Sequence, residues 1–479
     1  MITVLFESLN AWWPEVMLGI GALTVIIVGV WFNRPRLTSA VAWAFLLAAA
    51  AALWLTPVPP PTGVFFGLIV CDAFSLAFRW IALGAMALTL LLADSSRELP
   101  ADARGEWFGL VLFTGVGLMV MAEANHLLMA YLGMELVSLS SYLLVGAPRE
   151  ARSAEAALKY LLFGALSSGI MLFGMSLLFG LTGALEFPAI RQAVAGLGGP
   201  MQGALLVSVA LMLAGLAFKV SMAPFHMWTP DAYEGAPVAV AALLSVGPKA
   251  SALALLARLL ETLRPAWPTV EPLLLILAIA TMTWGNLAAL TQNNAKRLLA
   301  YSTIAQAGYL LIGIVAGGPL GREALLVYLV AYLFMNFGAF ACVTAVVDAT
   351  GSESLDAFRG LSRRSPGLAL AAVLFFLSLA GLPPLLGFVG KLYLFRSALE
   401  SGLTVLAIAA AVNSAIALYY YVNLIRIMYV TPPADAAPLR PMPALGLALG
   451  VCAGATVIFG LFPGALLAAV SLGAAANLL

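Results

Sequence analysis

The chain contains five lysines, and four of them, Lys159, Lys219, Lys249 and Lys391, lie inside long apolar runs. Arginine supplies the other 18 of the 23 basic residues (23 − 5) and keeps mostly to the polar segments between the runs. The partition has a chemical reason. An arginine guanidinium does not deprotonate in a protein, whereas a buried lysine amine can take up and release a proton near neutral pH. Glu135, in "YLGMELVSLSSYLL", is the carboxylate most central to a run and the natural partner for one lysine. At about 4 Å and an effective dielectric near 20, such a pair attracts by roughly 4 kcal/mol. Making and breaking it would switch the amine between holding and releasing its proton. The chemistry expected of these residues is stepwise proton transfer. Snorkelling to an interface is the competing reading for Lys219, Lys249 and Lys391. Lys159 also follows Glu155 by four residues, an ordinary helical ion-pair spacing. His226 is read either as a proton relay or as a cap on a broken helix.

The elements that position these residues are membrane helices. Of the 479 residues, 63% are hydrophobic and only 9% charged, where a soluble domain carries about 25% charged residues. A spanning helix needs about 20 mostly apolar residues. Fourteen runs qualify, starting near Ala11, Thr38, Ile69, Trp107, His126, Glu155, Met201, Pro237, Pro272, Leu298, Arg322, Gly367, Leu403 and Pro443. They are numbered here as spans 1 to 14. A lysine inside one costs roughly 2.5–3.5 kcal/mol on the insertion scale, so it must face protein, water or a counter-ion. Prolines accompany three of the four. Pro224 follows Lys219, Pro248 adjoins Lys249, and Pro383 and Pro384 precede Lys391. A proline in a helix interior removes a backbone hydrogen bond and kinks or breaks the helix. Freed carbonyls in a membrane are tolerated only against protein or a wet cavity. The expectation is a lysine beside a broken helix three times over, on a water-reachable line across the midplane. Asp72 and Glu15 at span edges read as anchors, His126 as interfacial, and Arg79 has no assigned role.

The Lys and Arg distribution sets an expected orientation. The odd-to-even loops hold Arg34, Arg36, Arg97, Arg104, Arg149, Arg152, Lys296, Arg297, Arg359, Arg363, Arg364 and Arg440, twelve in all, against five on the other side. Lys296 reads as the one lysine plainly in a loop. Both termini are expected outside the cytoplasm. The chain also repeats itself: "EAALKYL" from Glu155 recurs as "EALLVYL" from Glu323, and "SYLLVG" from Ser141 as "GYLLIG" from Gly308, at offsets of 168 and 167. Spans 5 and 6 thus match spans 10 and 11. Five spans separate each pair, and an odd number reverses the direction of crossing, the inverted-repeat pattern of transporters. The expected fold is all-α and polytopic, with two inverted five-helix repeats broken at spans 7 and 12. The expected divisions are 1–105 (three helices), 106–265 (first repeat), 266–432 (second repeat) and 433–479 (span 14). At the observed offsets Ser302 stands opposite Glu135 and Val327 opposite Lys159, so the second repeat lacks the Glu–Lys pair.

Cys71, Cys342 and Cys452 lie apart in apolar runs, without the spacing of a disulfide framework, zinc site or Fe–S site. The beginning of the chain carries Glu7 and no basic segment, so the first apolar run is expected to be retained rather than cleaved. No Gly-rich strand–turn–helix fingerprint for a dinucleotide is present. A net charge of +1 gives no reason to expect a nucleic-acid partner.

Five stretches then carry a resemblance: "YLGMELVSLSSYLLVG", "EAALKYLLFGALSSGIMLFGMSLLFGLTG", "AFKVSMAPFHMWTPDAYEGAP", "NNAKRLLAYSTIAQAGYLLIG" and "LAGLPPLLGFVGKLYLF". Together they resemble the antiporter-like membrane subunits of the proton-pumping NADH:quinone oxidoreductase, respiratory complex I, from span 4 through span 13. The resemblance implies a charge pair of Glu135 and Lys219, a central connecting lysine at Lys249, a terminal lysine at Lys391 and an additional span 6 lysine at Lys159. It implies proton translocation driven by electron transfer elsewhere, with FMN and Fe–S clusters in partner subunits and none in this chain. The alternatives are a subunit of a multi-subunit cation/proton antiporter, and a scaffold whose buried charges only fix helix register.

Overall fold

In the computed structural model, residues 2–56, 63–100, 102–198, 201–433, 438–439, 442–476 and 478 are described. Arg440 lies outside them. Among the described residues thirteen helices are long and apolar enough to cross a membrane. They are Trp13–Phe32, Pro35–Leu55, Ala73–Asp94, Arg104–Glu123, Leu127–Val145, Ala151–Thr182 and Met201–Val220, then Val238–Thr262, Arg264–Ala289, Ala295–Ala316, Gly318–Thr350, Thr404–Tyr429 and Pro443–Leu461. A 20-residue helix is about 30 Å long, the thickness of a bilayer's hydrocarbon core. The run assigned to span 12 appears as two shorter helices, Pro366–Ala380 and Leu386–Glu400. Read as one interrupted crossing, they bring the thirteen to fourteen.

The ends follow local chemistry. Proline opens spans 1, 2 and 14 near their first turn, where its missing N–H is no loss. The Asp72 side chain accepts from Ser75 N at 2.7 Å to cap span 3. That span therefore begins at Ala73, and Ile69–Val70, expected as its start, forms instead a short antiparallel hairpin with Gly63–Val64. Span 9 likewise starts before Pro272, which sits inside the helix.

Span 7 stops at Val220 and resumes at Trp228–Gly235. Span 12 stops at Ala380 and resumes at Leu386. Ser221 and Gly381 take positive φ, 65° and 87°, where each first half ends. Pro248 corrects the expectation of three breaks: span 8 runs unbroken from Val238 to Thr262 with Pro248 inside it. The helix is buried along its whole apolar stretch, and that packing lets it continue past the missing bond.

Burial separates centre from rim. The apolar stretch of span 8 is wholly buried and that of span 10 is 94% buried, against 28% for spans 2 and 14. Close approach demands glycine at the crossing of spans 9 and 10, where a Cβ on Gly285 would lie 2.5 Å from Ala305 N. The loops sort onto two faces, because each crossing helix reverses the chain. On one face Arg152 bridges Glu234 and Glu353, Lys296 reaches Glu98 and Glu353, and Arg97 N donates to Asp348. On the other, Arg258 pairs with Asp72 and Arg191 with Glu261. Lys296 itself corrects the sequence reading. It is the second residue of the span 10 helix, 2% exposed, and held by two carboxylates.

Candidate functional site

Lys219 occupies the last turn of the first half of span 7, where lysine complements the negative end of the helix dipole. It is 1% exposed, and its Nζ has no hydrogen-bond partner among the described residues. Three rings face it instead: Phe218 at 5.4 Å, Tyr160 at 5.7 Å and Tyr142 at 5.8 Å from Nζ to centroid, a cation–π enclosure. Glu135 lies on span 5 and is half-buried; its carboxylate accepts from Ser168 of span 6. The expected direct pair with Lys219 is therefore not made here. Tyr142, two turns beyond Glu135 on the same helix, turns its ring to Lys219, and Ser138 lies one turn before it. Ser138 and Tyr142 thus line the side of span 5 that runs from Glu135 to the amine.

Breaking span 7 frees carbonyls that need donors. Trp228 Nε1 donates to Phe218 O at 3.0 Å, and Lys249 Nζ donates to Val220 O at 2.9 Å. Lys249 also donates to Ser221 Oγ, which accepts from Thr229 Oγ1 at 2.8 Å. The ammonium of span 8 thus caps the broken end of span 7. His226 sits in the interruption, 6% exposed, edge-on to Trp284. Its carbonyl, rather than its ring, accepts from Thr229 N at 3.0 Å, and its Nδ1 has no hydrogen-bond partner among the described residues.

Lys391 repeats the arrangement in span 12. Its Nζ donates to Ala380 O at 2.9 Å, the last residue of the first half-helix, and to Ser414 Oγ at 3.2 Å. It lies 4.6 Å from the Tyr309 ring centroid. At both breaks a buried amine is bonded to the end of the first half-helix.

Lys159 stands apart from these three. Its side chain is 44% exposed and bridges Glu155 at 2.8 Å and Asp231 at 3.2 Å. It belongs to the ionic face that also holds Arg297, Glu234 and Glu353. There burial pushes the Glu353 carboxyl up, but Lys296 and Arg152 outweigh it and hold the carboxyl below its ordinary range. Glu98, on the same lysine, moves the other way because burial prevails.

Between Lys249 and Lys391 the structure places neutral polar groups that the sequence reading did not single out. Ser245, one turn before Lys249, accepts from Asn336 Nδ2 at 2.5 Å. Tyr328 donates to Gln306 Oε1, and Gln306 Nε2 reaches Leu379 O at 3.2 Å. Ser302 bonds the Tyr421 hydroxyl at 2.5 Å. Tyr420 donates to Asn286 Oδ1 at 3.1 Å, and Asn286 donates to the Tyr309 hydroxyl at 3.1 Å. The available signal was the recurrence of Tyr, Asn, Gln and Ser inside apolar helices. A second missed cluster is ionic. Arg79, left without a role by the sequence, is buried between Glu15 and Glu123, so Glu15 is not an edge anchor.

The match to known proteins agrees with this geometry. The family model described as "NADH:quinone oxidoreductase/Mrp antiporter, TM" matches residues 124–417. NADH-quinone oxidoreductase subunit N of Anaeromyxobacter sp. (strain Fw109-5) is 41% identical over 94% of this chain and 93% of its own length. A chain of respiratory complex I from Thermus thermophilus with bound aureothin superposes with a TM-score of 0.81 at 34% identity, over 96% of this chain and 99% of that one. A chain of the Mrp complex from Dietzia sp. DQ12-45-1b superposes with a TM-score of 0.83 at 25% identity, over 98% and 97% of the two chains.

Proposed function

Because the chain belongs to the antiporter-like membrane subunits of NADH:quinone oxidoreductase, with subunit N proteins as its relatives, we propose that it translocates protons along Lys219, Lys249 and Lys391, driven by electron transfer from NADH to quinone in other subunits. The observation that carries this reading is the bonding of Lys249 to Val220 O and of Lys391 to Ala380 O. An ammonium on the carbonyl end of a half-helix is favoured by the local dipole and disfavoured by burial. A small movement of the half-helix tips that balance, and the amine then takes up or gives away a proton.

Glu135 is the entry carboxylate of the first repeat. It holds Ser168 in the state described here and pairs with Lys219 in another. Lys249 joins the halves at the buried centre, and the hydroxyl and amide groups around Gln306 and Tyr421 lead to Lys391. His226 and Lys159 complete the set, His226 inside the break and Lys159 on the ionic face, tied to the second half of span 7 through Asp231. In this reading residues 106–265 and 266–432 are the two inverted units. The ionic face is cytoplasmic, the membrane is a bacterial plasma membrane, and the redox groups sit in the partner subunits.

Proteoliposomes holding the assembled complex test it. Lys219→Met and Lys391→Met are expected to reduce NADH-driven acidification while assembly persists. Unchanged acidification in both rejects the proposal. A second reading, a subunit of a multi-subunit cation/proton antiporter, is favoured by the likeness to the Mrp complex chain. Co-purification separates them: redox subunits with NADH oxidation support the first reading, and small membrane partners with sodium-dependent growth support the second.

A further inference from the structure

The ionic cluster on the face opposite the Lys296 network is not used by the lysine line. Glu15 near the start of span 1, Arg79 in span 3 and Glu123 at the end of span 4 meet with side chains 0–4% exposed. Arg79 does not serve the two carboxylates equally. Glu15 takes both branches of the fork, from Nε at 2.8 Å and from Nη2 at 2.6 Å. This is the bidentate geometry of a full ion pair. Glu123 lies 2.9 Å from the same Nε, whose one hydrogen is already directed to Glu15. Its other partners are neutral: Trp12 Nε1 at 3.1 Å and the Cys71 thiol at 3.9 Å. Glu15 Oε1 at 2.8 Å and Glu123 Oε1 at 2.9 Å crowd onto the one Arg79 Nε, which brings the two carboxyl groups together. Two ionised carboxylates in that contact repel, and one proton between them turns repulsion into a hydrogen bond.

The surroundings add no compensating charge. The neighbouring ionic groups Asp72 and Arg258 are paired with each other at 2.7 Å, and Asp72 Oδ2 is buried without a hydrogen-bond partner among the described residues. With both glutamates ionised the Glu15–Arg79–Glu123 cluster carries one uncompensated negative charge away from water, which is resolved by taking up a proton.

We propose that Glu123 is a proton-binding site, occupied in the structure described here, with Glu15 the anion that neutralises Arg79. The site stands whether or not the lysine line carries protons. Its geometry separates the two glutamates: glutamine imitates a protonated Glu123, but at Glu15 it leaves Arg79 without its ion pair. Infrared spectroscopy of the purified wild-type complex in H2O and D2O, and of complexes carrying Glu123→Gln or Glu15→Gln, tests this. The expected result is loss of one deuterium-sensitive protonated-carboxyl band in Glu123→Gln, with wild-type assembly yield, and a reduced yield in Glu15→Gln. An unchanged carboxyl band in Glu123→Gln overturns the proposal. So does an assembly loss in Glu123→Gln as large as that in Glu15→Gln.

Discussion

Substituting Lys249 distinguishes an amine that carries protons from one that only holds span 7 together. Its Nζ donates to Val220 O at 2.9 Å and to Ser221 Oγ, and the residue is 1% exposed. Lys249→Met keeps nearly the same length and removes the charge. Two hydrogen bonds from a charged donor are lost, each contributing about 1.5–3 kcal/mol, so about 3–6 kcal/mol together. The penalty for holding an ammonium away from water, several kcal/mol, is relieved at the same time. These opposing terms are of one size, and the change in stability is expected to stay within about 2 kcal/mol. Proton transfer has no such compensation. Losing a positioned acid–base group slows the step by about 10²–10⁴, about 3–5 kcal/mol of barrier. Lys249→Arg sharpens the comparison, because arginine keeps a cation and its donors yet does not release a proton. NADH-driven quinone reduction and internal acidification, followed together in proteoliposomes, are expected to fall in both variants. NADH oxidation by an artificial electron acceptor persists. Wild-type acidification in Lys249→Arg refutes the reasoning, since a fixed charge would then suffice.

Arg79→Ala leaves the buried Glu15 carboxylate without its guanidinium and is expected to destabilise the subunit by about 3–5 kcal/mol, read as a lower thermal transition and poor assembly. Gly285→Val drives a side chain against Ala305 N at the crossing of spans 9 and 10 and is expected to cost about 1–3 kcal/mol, seen in the same thermal assay. Glu353 contributes acid-dependent stability. Because its folded-state carboxyl is held below the ordinary 4.5, its contribution is complete above that pH and is lost as pH falls through the lower folded value. Hydrogen exchange of the 351–358 segment is expected to rise across that acid window in the native chain and to be flat there in Glu353→Gln. Ser168→Ala removes the donor to Glu135 and is expected to shift the pH profile of proton-coupled turnover with assembly intact. An unmoved profile separates Ser168 from the entry carboxylate.

Composition and spacing determined the helical membrane fold, the positions of the spans and the identity of the lysines. A run of about 20 apolar residues admits few alternatives, and an ionisable residue inside one is expensive enough to stand out. Sequence also placed the loops on their two faces, because each crossing reverses the chain. It did not decide where a proline breaks a helix. Pro248 and Pro224 look alike in sequence, but span 8 is enclosed along its whole length and continues, while span 7 is interrupted around Ser221. Tertiary structure alone decided which polar groups meet. Glu135 faces Ser168 rather than Lys219, Lys296 is buried among carboxylates, and Arg79 gathers Glu15 and Glu123 from helices up to 108 positions apart (123 − 15). Such contacts depend on how helices are rotated and staggered against one another, and the hydrophobicity that specifies a membrane helix is nearly the same on all its faces.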